Sequence, residues 1–284
     1  MSIFMSLFLG LVQGITEFLP VSSSGHLSIL QNLLNIDYAE DNHLLFEVLL
    51  HLGTLISIFY VYREDLKTMF VEGLEFLRMR SDTDIDEPIV MKPPVRALLF
   101  VIIATLPMFI AMLFRNAVTS LFFNLSFIAF ALLVTGGLLY VSDKYLEKGK
   151  KTERTMTLGD AVIIGLSQAV AILPGLSRSG TTISVGLARG LSASFAVKFS
   201  MLLSIPAVTG ATLVTLFTAF RDGVNFSLFP IYLFGFAVAS VTGFFAIQFL
   251  RRLVNKGGFS KFAYYCWGIG GLTMIISIVI RIRS

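Results

Sequence analysis

The chain has a single cysteine, Cys266, in 284 residues. That excludes a disulfide within the chain and any cysteine-built metal cluster. Charge is also scarce: 14% of residues are Asp, Glu, Lys or Arg against 55% hydrophobic, and the mean hydropathy is +0.82. Soluble domains carry about a quarter of their residues as charge, so this composition excludes one and indicates an integral membrane protein. The net charge is +4. Its cations lie in short loops between apolar spans, with no basic stripe interleaved with aromatics, which excludes nucleic acid as a partner. No Lys or Arg precedes the first hydrophobic run and no small-residue cleavage site follows it. The N-terminal stretch is therefore expected to belong to the fold rather than to a removable signal.

What is present is a repeat. Gly10-Leu11-Val12-Gln13, running on to Ser22-Ser23-Ser24-Gly25, recurs as Gly165-Leu166-Ser167-Gln168, running on to Ser177-Arg178-Ser179-Gly180, with six identities at a constant offset of 155. Each copy is an apolar segment ended by a proline, Pro20 or Pro174, and followed by a Ser/Gly cluster. One unit used twice places hydroxyls and backbone N–H groups at equivalent points. The copies differ in charge, because Ser23 corresponds to Arg178, His26 to Thr181 and Glu17 to Ile172. Acid, hydroxyl and imidazole in one copy and guanidinium in the other suggest a composite site for a phosphorylated substrate.

Six stretches have the ~20 apolar residues needed to cross a bilayer: 44–62, 97–114, 121–141, 199–220, 229–250 and 262–280. The segments 3–19 and 161–173 break too early to cross, and free backbone groups at membrane depth need protein or a wet cavity around them. They are expected to be re-entrant helix hairpins. The fold expected is an all-α integral membrane protein, a single membrane domain over 1–284 built as an inverted-topology repeat. Each half is a re-entrant hairpin plus three transmembrane helices: repeat one about 1–141 with its hairpin at 3–35, repeat two about 159–284 with its hairpin at 159–190. Loops 63–96, 143–154 and 251–261 hold fifteen Lys or Arg, whereas 36–43, 115–123 and 219–228 hold two. By the positive-inside rule the first set is cytoplasmic, so the first hairpin enters from outside, the second from the cytoplasm, and both termini lie outside. The acidic residues Asp37, Glu40 and Asp41 then lie outside, and Asp82, Asp84, Asp86 and Glu87 on a solvated cytoplasmic surface.

Only Glu17 and Glu47 among the acidic residues lie well inside apolar segments, where a charge costs at least ~2.5 kcal/mol. Gln13 and Glu17 are four apart and share a helix face directed at Ser22, Ser23 and Ser24. Such a carboxylate can bind a divalent cation or accept a proton from a hydroxyl or water. Glu47 and His51, also four apart, are expected either behind the same site or as a structural pair. Ser22 to Ser24, with Gly25 and His26, offer hydroxyls beside an imidazole. Ser177, Arg178, Ser179, Gly180 and Thr182 combine a fixed cation, hydroxyls and a glycine at a helix start, which suits phosphate. Arg189 and Lys198 lie near a predicted span end and are expected to snorkel to the interface.

These motifs, from Gln13-Gly14-Ile15-Thr16-Glu17 through His26 and from Pro174-Gly175-Leu176-Ser177-Arg178-Ser179-Gly180-Thr181-Thr182, closely resemble those of the bacterial undecaprenyl-diphosphatases of the BacA/UppP family. That resemblance implies hydrolysis of undecaprenyl diphosphate to undecaprenyl phosphate and inorganic phosphate, recycling the lipid carrier for peptidoglycan, together with bacitracin resistance. It implies a multi-pass protein of the bacterial inner membrane with its active site toward the extracytoplasmic side. The expected roles are these: Glu17 and Arg178 in catalysis, with Ser23 or His26 as nucleophile or water attacking directly; Ser22, Ser24, Gly25, Ser177, Ser179, Gly180 and Thr182 in binding. A divalent cation, Mg²⁺ or Ca²⁺, is expected on Glu17 with Gln13, which is neutral where the family also uses Glu. A homodimer is the one protein partner left open, and a polyprenyl-phosphate lipid transporter is the rival reading, since opposed hairpins also serve transport.

Overall fold

The computed structural model describes residues 1–34, 42–82, 91–222, 226–254 and 258–283; the acidic positions Asp37, Glu40, Asp41, Asp84, Asp86 and Glu87 lie outside them. The described residues form α1 (Ile3–Phe18), α2 (Ser23–Leu33), α3 (Asn42–Val61), α4 (Arg63–Asp82), α5 (Pro93–Met112), α6 (Arg115–Leu121), α7 (Leu125–Ser142), α8 (Leu158–Val170), α9 (Arg178–Ala188), α10 (Ala193–Asp222), α11 (Phe229–Val254) and α12 (Phe259–Arg283). Helices α5, α7, α10, α11 and α12 are each long and apolar enough to cross a membrane. α3 passes the same test jointly with α4, from which it departs at 75°. Among the described residues that gives five spans, or six if the bent pair is one span, against six expected crossings.

Two elements correct the sequence reading, which left 63–96 and 115–123 as loops. α4 is a helix because Met69, Phe70, Leu74 and Leu77 recur at helical spacing within a charged segment. Met69 is buried, while Phe70, Leu74 and Leu77 are exposed on its outer side. α6 is a short helix between α5 and α7.

α1 and α8, with sixteen and thirteen residues, reach only about 24 and 20 Å, less than the ~30 Å hydrocarbon core. α8 starts in a capping box, Thr157 accepting from Asp160 N while Asp160 accepts from Thr157 N. Buried Asp160 also holds Lys151 Nζ at 2.8 Å and Arg189 Nε at 2.9 Å, so Arg189 is ion-paired. Burial pushes the Asp160 carboxyl up, but the bonds from Lys151, Thr157 and Arg189 outweigh it and bring it down to about 2.

The repeat is visible in the packing. α1 lies along α11 and α8 along α5. A Cβ on Gly10 would stand 2.4 Å from Gly235 O, and one on its repeat partner Gly165 would stand 2.4 Å from Ala104 O. Each hairpin thus packs through a corresponding glycine against a helix of the other half, the small-residue contact that lets membrane helices approach. α7 and α12 pack on each other, and α3 packs on α10 and α11.

Candidate active site

The two breaks face each other. A Cβ on Gly25 would meet Gly175 Cα at 3.1 Å, and one on Gly180 would meet Pro20 Cβ at 3.3 Å. Backbone groups freed by the breaks find partners in the opposite half, as membrane depth requires. Ser179 Oγ donates to Leu19 O at 3.2 Å, and the Cys266 thiol on α12 reaches Pro20 O at 3.8 Å. Thr135 on α7 donates to Gly175 O at 3.2 Å and accepts from Ser177 N at 3.1 Å. Gly175 takes φ +90°, where a side chain would be strained.

The second helix of each hairpin begins alike. Ser22 Oγ accepts from Gly25 N at 3.1 Å, and Ser177 Oγ accepts from Gly180 N at 3.0 Å. The copies differ in backbone, since Ser22 adopts φ 70° and Ser177 φ −74°. That left-handed turn belongs to the copy whose next residue is Ser23.

Ser23 Oγ donates to Glu17 Oε2 at 2.6 Å, and Arg178 Nη2 donates to Glu17 Oε1 at 2.5 Å. Gln13 Nε2 donates to Glu17 Oε2 at 3.0 Å and to His51 Nδ1 at 3.1 Å. Glu17 is buried, and the acid of the first hairpin is neutralised by the cation of the second. Both charges thereby become tolerable at membrane depth. A cavity of about 250 Å³ opens beside them, with Ser22, Ser23, Ser24, Ser177 and Gln168 in its wall, and Met108, Ala207 and Ala211 on its apolar side. A larger cavity of about 660 Å³ lies elsewhere, between α3, α4, α10 and α11, and contains none of these groups. Chemistry rather than size identifies the site.

Not every expected residue reaches the cavity. His26 Nδ1 donates to Ser22 O at 2.7 Å, and Nε2 accepts from Tyr265 O–H at 2.7 Å with the rings stacked, which turns the imidazole to α12 and away from Ser23. Glu47 accepts from Gln31 Nε2 at 3.2 Å and is not in the cavity wall, whereas His51 is. Thr182 is tied to Arg178 O and Ser200 Oγ, Ser179 to Leu19 O, and Gly25 and Gly180 serve backbone packing.

Two residues gain importance from the structure. His51 is the imidazole beside Glu17, its Nδ1 3.9 Å from Oε2. Gln168 is buried in the cavity wall with neither amide atom partnered, and Gln13 Oε1 is likewise unpartnered. The signal for Gln168 lay in the repeat itself, since it is the counterpart of Gln13. Among the described residues no three His, Cys, Asp or Glu side chains converge as a metal cage. What remains is the Glu17 carboxylate with the orphaned Gln13 oxygen, a donor set suited to a cation that takes its other ligands from substrate phosphate.

A buried carboxylate, a hydroxyl bonded to it and a guanidinium opposite, supplied by two broken-helix hairpins inside an apolar helical bundle, define the class as a polytopic membrane protein with a composite candidate site. Residues 6–272 match the family model described as "Bacitracin resistance protein BacA", and the chain belongs to that family. It is 41% identical to the undecaprenyl-diphosphatase of Methanobrevibacter smithii over 98% of this chain and 99% of that protein. It is 40% identical to the undecaprenyl-diphosphatase of Alkaliphilus metalliredigens over 98% of this chain and 100% of the other. The undecaprenyl-diphosphatase of Syntrophotalea carbinolica is also 40% identical, over 98% of this chain.

Proposed function

We propose that this protein is an undecaprenyl-diphosphate phosphatase, converting undecaprenyl diphosphate and water to undecaprenyl phosphate and inorganic phosphate. The observation that carries this reading is the Ser23–Glu17–Arg178 arrangement at a cavity within a lipid-embedded bundle. A phosphatase needs a reactive hydroxyl, a base and a fixed cation, and these three are in bonding contact. The names of the relatives agree with it, and the transporter reading has no comparable support.

Arriving diphosphate competes for Arg178, whose planar fork matches phosphate oxygens and stabilises charge on the transferring group. Loss of its cationic partner makes Glu17 a stronger base toward Ser23. Ser23 Oγ then attacks the terminal phosphorus, its proton passes to Glu17 Oε2, and the bond to the bridging oxygen breaks, releasing undecaprenyl phosphate. Glu17 then gives that proton to water entering the cavity, and the exposed His51 ring nearby is positioned to stabilise the charge on Glu17. Water next attacks the phosphoserine and gives its proton to Glu17, which passes it to the departing Ser23 oxygen, freeing inorganic phosphate. Gln168 and Ser177 donate to phosphate oxygens. A divalent cation, if held by Glu17 and Gln13 Oε1, supplies charge neutralisation on the diphosphate.

The chain is a multi-pass membrane protein; its location in the plasma membrane, with the hairpin of α1 and α2 entered from the extracytoplasmic side, rests on the loop charge asymmetry. Carrier recycling for peptidoglycan and bacitracin resistance follow from this activity.

The deciding experiment is phosphate release from undecaprenyl diphosphate by purified protein in detergent, with Mg²⁺, with Ca²⁺ and with chelator, beside Arg178→Ala and Glu17→Ala. Release that both substitutions abolish is expected. Absence of release from folded protein under every condition refutes the reading, because detergent removes the two sides that a transporter needs.

A further inference from the structure

The larger cavity, about 660 Å³, sits where α3 bends into α4, α10 begins and α11 ends, and it shares no lining residue with the cavity beside Glu17. Among the described residues four cations line it, Arg63, Lys198, Arg251 and Arg252, with Asp65 as the one carboxylate. Lys198 is already neutralised, its Nζ 2.6 Å from Asp65 Oδ1 and 3.4 Å from Glu153 Oε1. Arg63 has Glu64 Oε1 at 3.3 Å, an exposed pair of little strength. Arg251 and Arg252 pair with no carboxylate among the described residues.

Topology-setting charge explains cations in these loops but not their convergence on one cavity with an aromatic wall. Arg251 is held over the Tyr62 ring at 5.5 Å and Arg63 over the Tyr60 ring at 5.0 Å, so both guanidinium groups are oriented before any ligand arrives. Tyr60 contacts Phe244 edge-on at 5.5 Å, and Phe244 contacts Phe245 at 5.3 Å, so the rings run from the cavity to the outer surface of α11. Phe245 and Tyr60 are mostly exposed. α4 leaves the bend at 75° with Phe70, Leu74 and Leu77 exposed; read as a helix lying in the membrane surface, it would put the cavity at headgroup depth.

We propose that this cavity is a second binding site, for the phosphomonoester headgroup of an anionic lipid, with the phosphate on Arg251 and Arg252 and the first acyl carbons along Tyr60, Phe244 and Phe245. Two unpaired guanidinium groups match a phosphate dianion, and basic pockets between transmembrane helices take lipid headgroups of this kind. The charge asymmetry puts the site at the cytoplasmic end of the bundle, away from the hydrolytic centre. The proposal does not depend on the hydrolytic reading.

The test is a titration of protein carrying Arg178→Ala, which removes anion binding at the Glu17 site, with dioctanoyl phosphatidic acid, dioctanoyl phosphatidylcholine and inorganic phosphate. Saturable binding of phosphatidic acid is expected, with phosphatidylcholine at least tenfold weaker. Adding Arg251→Gln and Arg252→Gln together should weaken phosphatidic acid at least tenfold, while the two Lys substitutions, which keep the charge without the fork, should weaken it less than the Gln pair. Both arginines are exposed, and Arg252→Gln alone, expected to cost about threefold, covers the case in which the double variant fails to fold. Unchanged affinity in the Gln variants overturns the proposal. Inorganic phosphate binding as tightly as the lipid also overturns it, by assigning the site to free phosphate.

Discussion

Glu17 Oε1 faces Arg178 at 2.5 Å while Oε2 takes the Ser23 hydroxyl at 2.6 Å, so one carboxylate serves as counter-ion and as base. Arg178→Lys keeps the charge but loses the fork, and kcat should fall by about a hundredfold or more, as for loss of one oriented donor to the transition state. Steady-state phosphate release checks it, and a Lys variant within about threefold of the native rate removes bidentate recognition from the mechanism. Ser23→Ala should reduce kcat by about a thousandfold or more with substrate binding retained. An active Ser23→Ala refutes the phosphoserine route in favour of direct attack by water. Gln168→Leu fills the same volume without donors, so it should raise KM several-fold while stabilising the unliganded protein, because the native amide is buried without partners. Thermal unfolding in detergent measured beside KM separates that outcome from simple damage. Glu17, Ser23 and Arg178 were legible in the sequence because charge inside an apolar segment demands a partner. The direction of the His26 ring was not, since Tyr265, 239 residues away, helps decide it.

At the scale of the element, each hairpin is announced by its proline and Ser/Gly cluster, and the observed breaks fall where those residues stand. α4 escaped the sequence reading because its charged positions mask an apolar face that only the bend after α3 displays. The corresponding glycines carry a prediction. Gly10→Ala and Gly165→Ala each place a methyl group 2.4 Å from a backbone oxygen of the facing helix, so each should destabilise by about 1–3 kcal/mol. Gly137→Ala, with open space around the new Cβ, is the control. Thermal unfolding of the three variants decides it, and equal stability of all three would mean that the hairpins pack more loosely than this geometry.

For the whole molecule, the expectation is an inverted bundle with the 143–154 loop cytoplasmic and the 115–123 loop outside. Cys266 is buried, so single cysteines introduced at exposed Lys150 and Ser120 can report sidedness without removing it. Lys150→Cys should react with an impermeant maleimide only after the membrane is opened, and Ser120→Cys in intact cells. The reverse pattern would turn the molecule over and place the Arg251 cavity outside.

The sequence by itself determined the membrane class, the apolar spans, the two broken hairpins and the charged residues that must meet, because hydropathy, proline and the cost of intramembrane charge act locally along the chain. Only the tertiary structure decided that Glu17 meets Arg178 directly, that His51 rather than His26 stands beside it, and that Arg251 and Arg252 line a cavity of their own. Those outcomes depend on which helices pack together and on the backbone and side-chain groups each helix presents to its neighbour, and no stretch of sequence contains both partners.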